Sequence, residues 1–210
     1  MKFLRIGKLL LLLSFIWLFV LAMPSIKIKQ EDQDFDYYIL DTAKSKIHWN
    51  CAHFGLLKFK KGTILLQKEL PIEVNFTIDM ESITNTDIDN KLLQGTLQNV
   101  LKSIEFFNTK VYPEAYFESH SIDKISKNNY KITGDFTIVD IGICNDFKGT
   151  IELKNDSLYF NTKTIILNRI HWGIFYGSAN NPNPKEEEEG FVVTDTILLD
   201  AHIQAYLKSE

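Results

Sequence analysis

The residues of this chain whose chemistry could build a site are five histidines, two cysteines and one basic, aromatic segment. On an extended strand His48 and His53 would point to opposite faces, because their separation is odd, so they do not form a metal pair there. The remaining histidines, His120, His171 and His202, are scattered. No His-Glu-x-x-His, Cys-x-x-Cys, glycine-rich phosphate loop or Gly-x-Ser-x-Gly occurs, which leaves a hydrolase or metalloenzyme without a motif. Cys51 and Cys144 are too few for a disulfide-built scaffold. Joined, they would close a loop of about ninety residues and add roughly 4–5 kcal/mol by chain entropy. Spacing alone leaves both the bridge and two unrelated thiols open. Between Arg169 and Tyr176 a cation is interleaved with Trp172, Phe175 and Tyr176. Such a segment can rim a pocket with amphipathic rings and one donor, or form a structural corner with the arginine paired to a strand carboxylate.

Strict alternation dominates from Tyr37 onward. In residues 73–83, Val74, Phe76, Ile78 and Met80 fall on one face and Glu73, Asn75, Thr77 and Asp79 on the other, as a half-buried strand requires. Similar runs cover residues 45–49, 63–67, 115–122, 130–139, 148–153, 158–167 and 192–207. Lys60-Lys61-Gly62, Lys127-Asn128-Asn129 and Lys154-Asn155-Asp156-Ser157 read as turns between them. About eight antiparallel strands at this spacing predict an all-β sandwich or a closed barrel. One segment departs: residues 89–107 carry Leu92, Leu93, Leu97, Val100, Leu101 and Ile104 at helical spacing, which predicts one helix or two short ones, with Gly95 a weak point.

The N-terminus carries Lys2, Arg5 and Lys8 ahead of an apolar run from Leu9 to Ala22 broken only by Ser14. That is the layout of a secretory signal. Val20 and Ala22 suit a peptidase cleaving after residue 22. No cysteine follows to carry a lipoprotein anchor, and an uncleaved membrane anchor over residues 9–26 is the alternative. A polar linker over 23–36 and one domain over 37–210 complete the organisation. Cleavage removes three of the 23 basic residues and none of the 27 acids, leaving 20 against 27 and a net charge of −7. This balance argues against nucleic acid and anionic membrane surfaces as partners. Lys185–Glu189 reads as a solvated charged loop.

Several stretches, in order, resemble the YceI-like family. They are Tyr38 to Ser45 with Ile47 and Trp49; His53, Gly55 and Gly62-Thr63-Ile64; Asp79 to Ile83 with Asn85-Thr86-Asp87; and Tyr130 to Ile138. The most specific are Leu101-Lys102-Ser103-Ile104-Glu105-Phe106-Phe107 followed by Tyr112-Pro113 and Ala115-Tyr116-Phe117, and Asn168 through Ser178. The resemblance implies an exported bacterial protein folded as an antiparallel lipocalin-like barrel of about eight strands with a short helical excursion. It also implies a polyisoprenoid or similar long-chain amphiphile as ligand, with no other cofactor. Two departures stand out: Val100 occupies a place where the family commonly has histidine, and Cys144-Asn145-Asp146 replaces a Thr-Lys-Pro-like turn.

On that expectation Val74, Phe76, Ile78 and Met80 line a hydrocarbon tunnel with Phe117, Ile132, Phe136 and Ile138, joined by Ile151, Leu199 and Ile203. Phe106 and Phe107 add plugs at the end of the helical segment, and Arg169, Trp172 and Tyr176 a rim. Burying twenty carbons there yields roughly 16 kcal/mol gross at about 0.8 per methylene, from which immobilisation subtracts several. A lipid carrier in the periplasm or outside the cell is thus expected. Membrane enters only as lipid source or through an uncleaved leader, and a homodimer is left open. An envelope interaction protein with a packed barrel is the runner-up.

Overall fold

The computed structural model describes residues 35–185 and 192–208, within the unit that runs from Asp34 to Glu210. The leader read at 1–22 and most of the linker lie outside these residues. Strand β1 (Phe35–Leu40) is followed by β2 (Lys46–Asn50), β3 (Phe54–Gln67), β4 (Leu70–Asn85), helix α1 (Lys91–Lys102), β5 (Glu114–Lys124), β6 (Asn129–Ile138) and β7 (Ile141–Lys154). Then come β8 (Ser157–Thr162), β9 (Ile165–Asn168), a 3-10 turn (Arg169–Trp172) and β10 (Thr196–Leu207). Since β1 begins at Phe35, the last two residues read as linker belong to a strand.

All pairings are antiparallel, and the order β2-β3-β4-β5-β6-β7-β8 returns through β10 to β2, so the ladders form a ring. Strands β1 and β2 both pair with β3 and β10, and β8 and β9 both pair with β10. Each couple is one broken position of the ring, which reconciles ten strands with the eight expected. Residues 158–167, read as one run, are thus two strands interrupted at Lys163 and Thr164, and the run read at 192–207 enters the ladder only at Thr196.

The tight hairpins at Lys68-Glu69, Val139-Asp140 and Asn155-Asp156 have positive φ at both central residues, the conformation whose twist matches that of the flanking strands. Lys60-Lys61-Gly62 is no turn: it lies inside β3, beside irregularities that slip the register between Phe59 and Lys61. Gly62 serves space instead. It sits opposite Phe76, and a Cβ there would lie 2.4 Å from that ring. Cys144-Asn145-Asp146 is likewise mid-strand in β7, paired to Asp135, Gly134 and Thr133.

Helix α1 starts where the Asn90 side chain accepts from the backbone N–H of Leu92 (3.0 Å) and Leu93 (3.2 Å), satisfying two donors that a helix start leaves orphaned. It ends at Ser103, which turns extended, so the helical stretch stops short of the predicted residue 107. Only Leu101 on it is buried; Leu92, Leu93 and the following Ile104 are exposed. Gln94 ties the helix to the end of β4 by donating to the Asn85 carbonyl at 2.9 Å.

Candidate functional site

The ring has two unlike ends. At the end holding the β3–β4, β5–β6 and β7–β8 hairpins, Ile64, Leu66, Val74, Ile132 and Leu158 are fully buried and fill the interior. At the other end lie the β2–β3 turn, α1 and the long connection into β10, and there the interior is hollow. A cavity of about 240 Å³ is lined almost wholly by apolar side chains. An apolar cavity of ~150 Å³ already suffices to stay dry and admit benzene.

Of the residues singled out in the sequence, Phe76, Ile78, Met80, Phe106, Phe107, Phe117, Phe136, Ile138 and Tyr176 meet around this cavity. Val74 and Ile132 do not: they belong to the filled end, so the space is a blind pocket and not a tunnel along the whole β4 face. Arg169 and Trp172 also lie outside the lining. Trp172 is buried, with its indole N–H donating to the Phe136 carbonyl at 3.1 Å.

Arg169 is fully buried. Its Nε donates to the Thr194 carbonyl (3.0 Å), Nη1 to those of Ile174 and Tyr176 (both 2.8 Å), and Nη2 to that of Val193 (3.0 Å). The guanidinium also lies 3.4 Å from Asp195 and over the Phe106 ring. These contacts pin the residues before β10 to the corner at 169–176, which Gly173 turns in the left-handed region at φ 73°. The corner positions Tyr176, Val192 and Val193, all part of the lining. Burial acts to raise the Asp195 carboxyl, but hydrogen bonds from Ser178 and Asn180 and the Arg169 charge outweigh it and hold it below the ordinary carboxylate value.

Trp49, Leu57, Phe59, Leu97, Phe147 and Phe160 also line the cavity, although sequence reasoning assigned none of them to it. Phe160 lies in phase with the buried Leu158, and Phe147 in phase with Ile151 one residue before the run read at 148–153, so alternation carried both signals. Together the rings form a belt. Phe59 meets Phe76 (5.3 Å between centroids), Phe76 meets Phe160 (6.3 Å), Phe160 meets Phe147 (6.4 Å), and Phe147 meets Phe117 (5.3 Å), itself 4.7 Å from Phe136. All fall within the range of favourable aromatic pairs.

The lining also carries a polar pair. His53 lines the cavity and its Nδ1 lies 2.9 Å from Asp87 Oδ2. Burial pushes the Asp87 carboxyl up, yet hydrogen bonds from His53, Asn85 and the Phe54 backbone bring it below its usual value. Trp49 closes the same corner by donating to the Thr84 carbonyl at 3.1 Å. The bridge left open by the sequence is not formed: Cys51 is a free thiol lining the cavity, and Cys144 is a free thiol exposed on β7.

Among solved structures, the chain is similar to the crystal structure of Burkholderia cenocepacia BcnA, with a TM-score of 0.60 at 21% identity, covering 79% of this chain and 98% of that one. It is also similar to a polyisoprenoid binding domain from Saccharophagus degradans implicated in plant cell wall breakdown, with a TM-score of 0.55 at 13% identity, covering 83% and 100%. At these identities the likeness is one of fold. A comparison with curated proteins finds no match. No helix among the described residues is long and apolar enough to cross a membrane. Residues 38–205, nearly the whole of the described domain, match the model of the YceI-like domain, and the chain belongs to the YceI-like family.

Proposed function

We propose that this protein binds a long-chain apolar lipid, a polyisoprenoid or similar amphiphile, and carries or sequesters it in the cell envelope, inside a sheet that closes as a lipocalin-like barrel. The observation that carries this reading is the apolar cavity of about 240 Å³ bounded by the belt of phenylalanines. Left empty, a void of that size would forfeit on the order of 6 kcal/mol of packing at about 24 cal/mol per Å³. Hydrocarbon recovers those contacts. Membership of the YceI-like family supports a binding protein and not an enzyme. The lipid's polar end lies at the mouth, beside His53 and Asp87. A barrel used only as a platform for envelope interactions would gain nothing from such a void. Export by the leader at 1–22 sets the place of action, in the periplasm or beyond.

The test is native mass spectrometry of protein purified from its own envelope, with Ile78→Trp alongside. Ile78 lines the cavity, and filling it with an indole costs about 1–3 kcal/mol of overpacking without adding charge. The parent should carry a long-chain lipid, and the folded variant should lose it or hold a shorter one. A variant binding a fluorescent long-chain probe as tightly as the parent would remove the main support for this reading.

A further inference from the structure

On the outer face of the ring, away from the cavity, three different metal-ligating groups stand on three consecutive strands. His120 is on β5, Asp135 on β6 and Cys144 on β7, and one ligand atom from each lies within 4.8 Å of the other two. Asp135 is paired directly opposite Cys144, so the two side chains share a face at cross-strand contact distance. The third group arrives by an irregularity. Pairing between β5 and β6 slips between Ser119 and Ser121, leaving His120 as the extra residue of a bulge. Bulges re-aim side chains in this way, and they are frequent beside functional sites. Gly134 lets the strands meet there, since a Cβ on it would stand 2.2 Å from the Glu118 carbonyl oxygen. The His120 Nε2 consequently lies 3.2 Å from Asp135 Oδ2.

We propose that His120, Asp135 and Cys144 form a binding site for one borderline divalent transition-metal ion of the zinc class. The ligands would be an imidazole nitrogen, a carboxylate oxygen and a thiolate sulfur, with water in the fourth position. Nitrogen and oxygen ligands at about 2.0–2.2 Å and sulfur at about 2.3 Å in a tetrahedral shell put neighbouring ligand atoms roughly 3.3–3.7 Å apart by that geometry. The cluster thus needs to close by little more than an ångström, within reach of rotamer changes in the exposed His120 and Cys144 and the half-buried Asp135. The mix of one nitrogen, one oxygen and one sulfur favours zinc-class ions over magnesium or calcium, which take oxygen alone. Binding breaks the Cys144 S–H bond as the metal–sulfur bond forms, and the proton leaves to the buffer. The site stands whether or not the cavity holds lipid, because Asp135 faces outward and its neighbour Phe136 faces in.

The experiment is titration of reduced, untagged, metal-free protein with cobalt(II), followed by displacement with zinc. A near-ultraviolet thiolate-to-cobalt band should saturate at one equivalent and vanish as zinc displaces it, with a proton released on binding. Cys144→Ser should abolish the band, His120→Ala should weaken binding at least about tenfold, the lower range for loss of even an outer-shell partner, and Cys51→Ser should change neither. All three variants should keep the parent's circular dichroism. The proposal is overturned if no band saturates at one equivalent, if the band survives Cys144→Ser or disappears with Cys51→Ser, or if half an equivalent saturates a dimer, which would assign the ion to two copies.

Discussion

Arg169 and Asp195 meet at 3.4 Å with the arginine side chain wholly buried, and the same guanidinium holds four backbone carbonyls on both sides of the loop that enters β10. One side chain therefore fastens the wall of the cavity that the sheet itself does not supply. A buried charge of this kind is tolerable only with its partners present. Arg169→Met should destabilise the protein by about 3–5 kcal/mol, as expected for breaking a buried pair from one side. Arg169→Lys should recover little of that, because an ammonium cannot reproduce the planar fork that reaches four acceptors. Urea unfolding of the three proteins measures both effects.

The carboxylate partner gives the corner a pH dependence with a definite sign. In the folded protein Asp195 titrates below its ordinary value, since burial, which raises it, is outweighed by Ser178, Asn180 and Arg169. A group whose pKa is depressed on folding stabilises the native state above its unfolded pKa, about 3.9 for aspartate, and that contribution is lost as the pH falls through the lower, folded value. Stability should decline more steeply below about pH 4 in the parent than in Asp195→Asn, which starts lower and stays flatter. Parallel acid-unfolding curves for the two would show that Asp195 contributes nothing to this slope.

Much of the ring was legible because strands with one buried face must alternate, and β6 and β10 do so over most of their lengths, while β4 loses its phase between Met80 and Ile83. The broken position at Lys163 and Thr164 coincides with a change of phase, from buried Leu158 and Phe160 to buried Ile165 and Leu167 with Ile166 exposed, which reading residues 158–167 as one run passed over. Glycine misled at Gly62, which looks like punctuation but makes room for the Phe76 ring. The reverse holds at Val139-Asp140, a tight hairpin whose central pair holds neither glycine nor asparagine. Arg169 shows the limit for the site: composition reveals a cation among aromatics, but only the fold decides whether its donors face a ligand or the loop's own carbonyls. The outer cluster was hidden for a related reason. Ile122 packs inward across from Ile132 although two-residue alternation from Phe117 would turn it out, and the bulge at His120 absorbs that change of phase.

The two thiols should behave as probes of the two faces. Burial pushes the Cys51 thiol up, with the Ala52 backbone hydrogen bond and the nearby Arg169 charge opposing only in part, whereas Cys144 is exposed. The thiolate is the reactive form, so at neutral pH a maleimide should modify Cys144 well before Cys51. A long-chain ligand in the cavity should slow Cys51 further and leave Cys144 unchanged. Peptide mapping after timed labelling reads each site separately, and equal protection of both cysteines by ligand would mean that the ligand does not act through the cavity that Cys51 lines.

The phenylalanine belt depends on two glycines whose missing Cβ atoms the rings occupy. A Cβ on Gly62 would come within 2.4 Å of Phe76 Cδ1, and one on Gly149 within 2.5 Å of Phe160 Cε2. Those two rings stack on each other at 6.3 Å, so displacing either pushes the belt into the cavity. Gly62→Ala should therefore destabilise by about 1–3 kcal/mol, the usual cost of overpacking, and also reduce the uptake of a long-chain probe. Gly95→Ala is the matched control. Nothing lies within 4 Å of a Cβ there, and the position is inside α1, where alanine is better than glycine by about 0.8–1.0 kcal/mol. It should stabilise and leave probe binding as it was. Thermal unfolding and probe titration on the same preparations separate the two effects. If Gly62→Ala lost stability but took up the probe as the parent does, the rings would have relaxed away from the cavity, and the belt would not be what limits its volume.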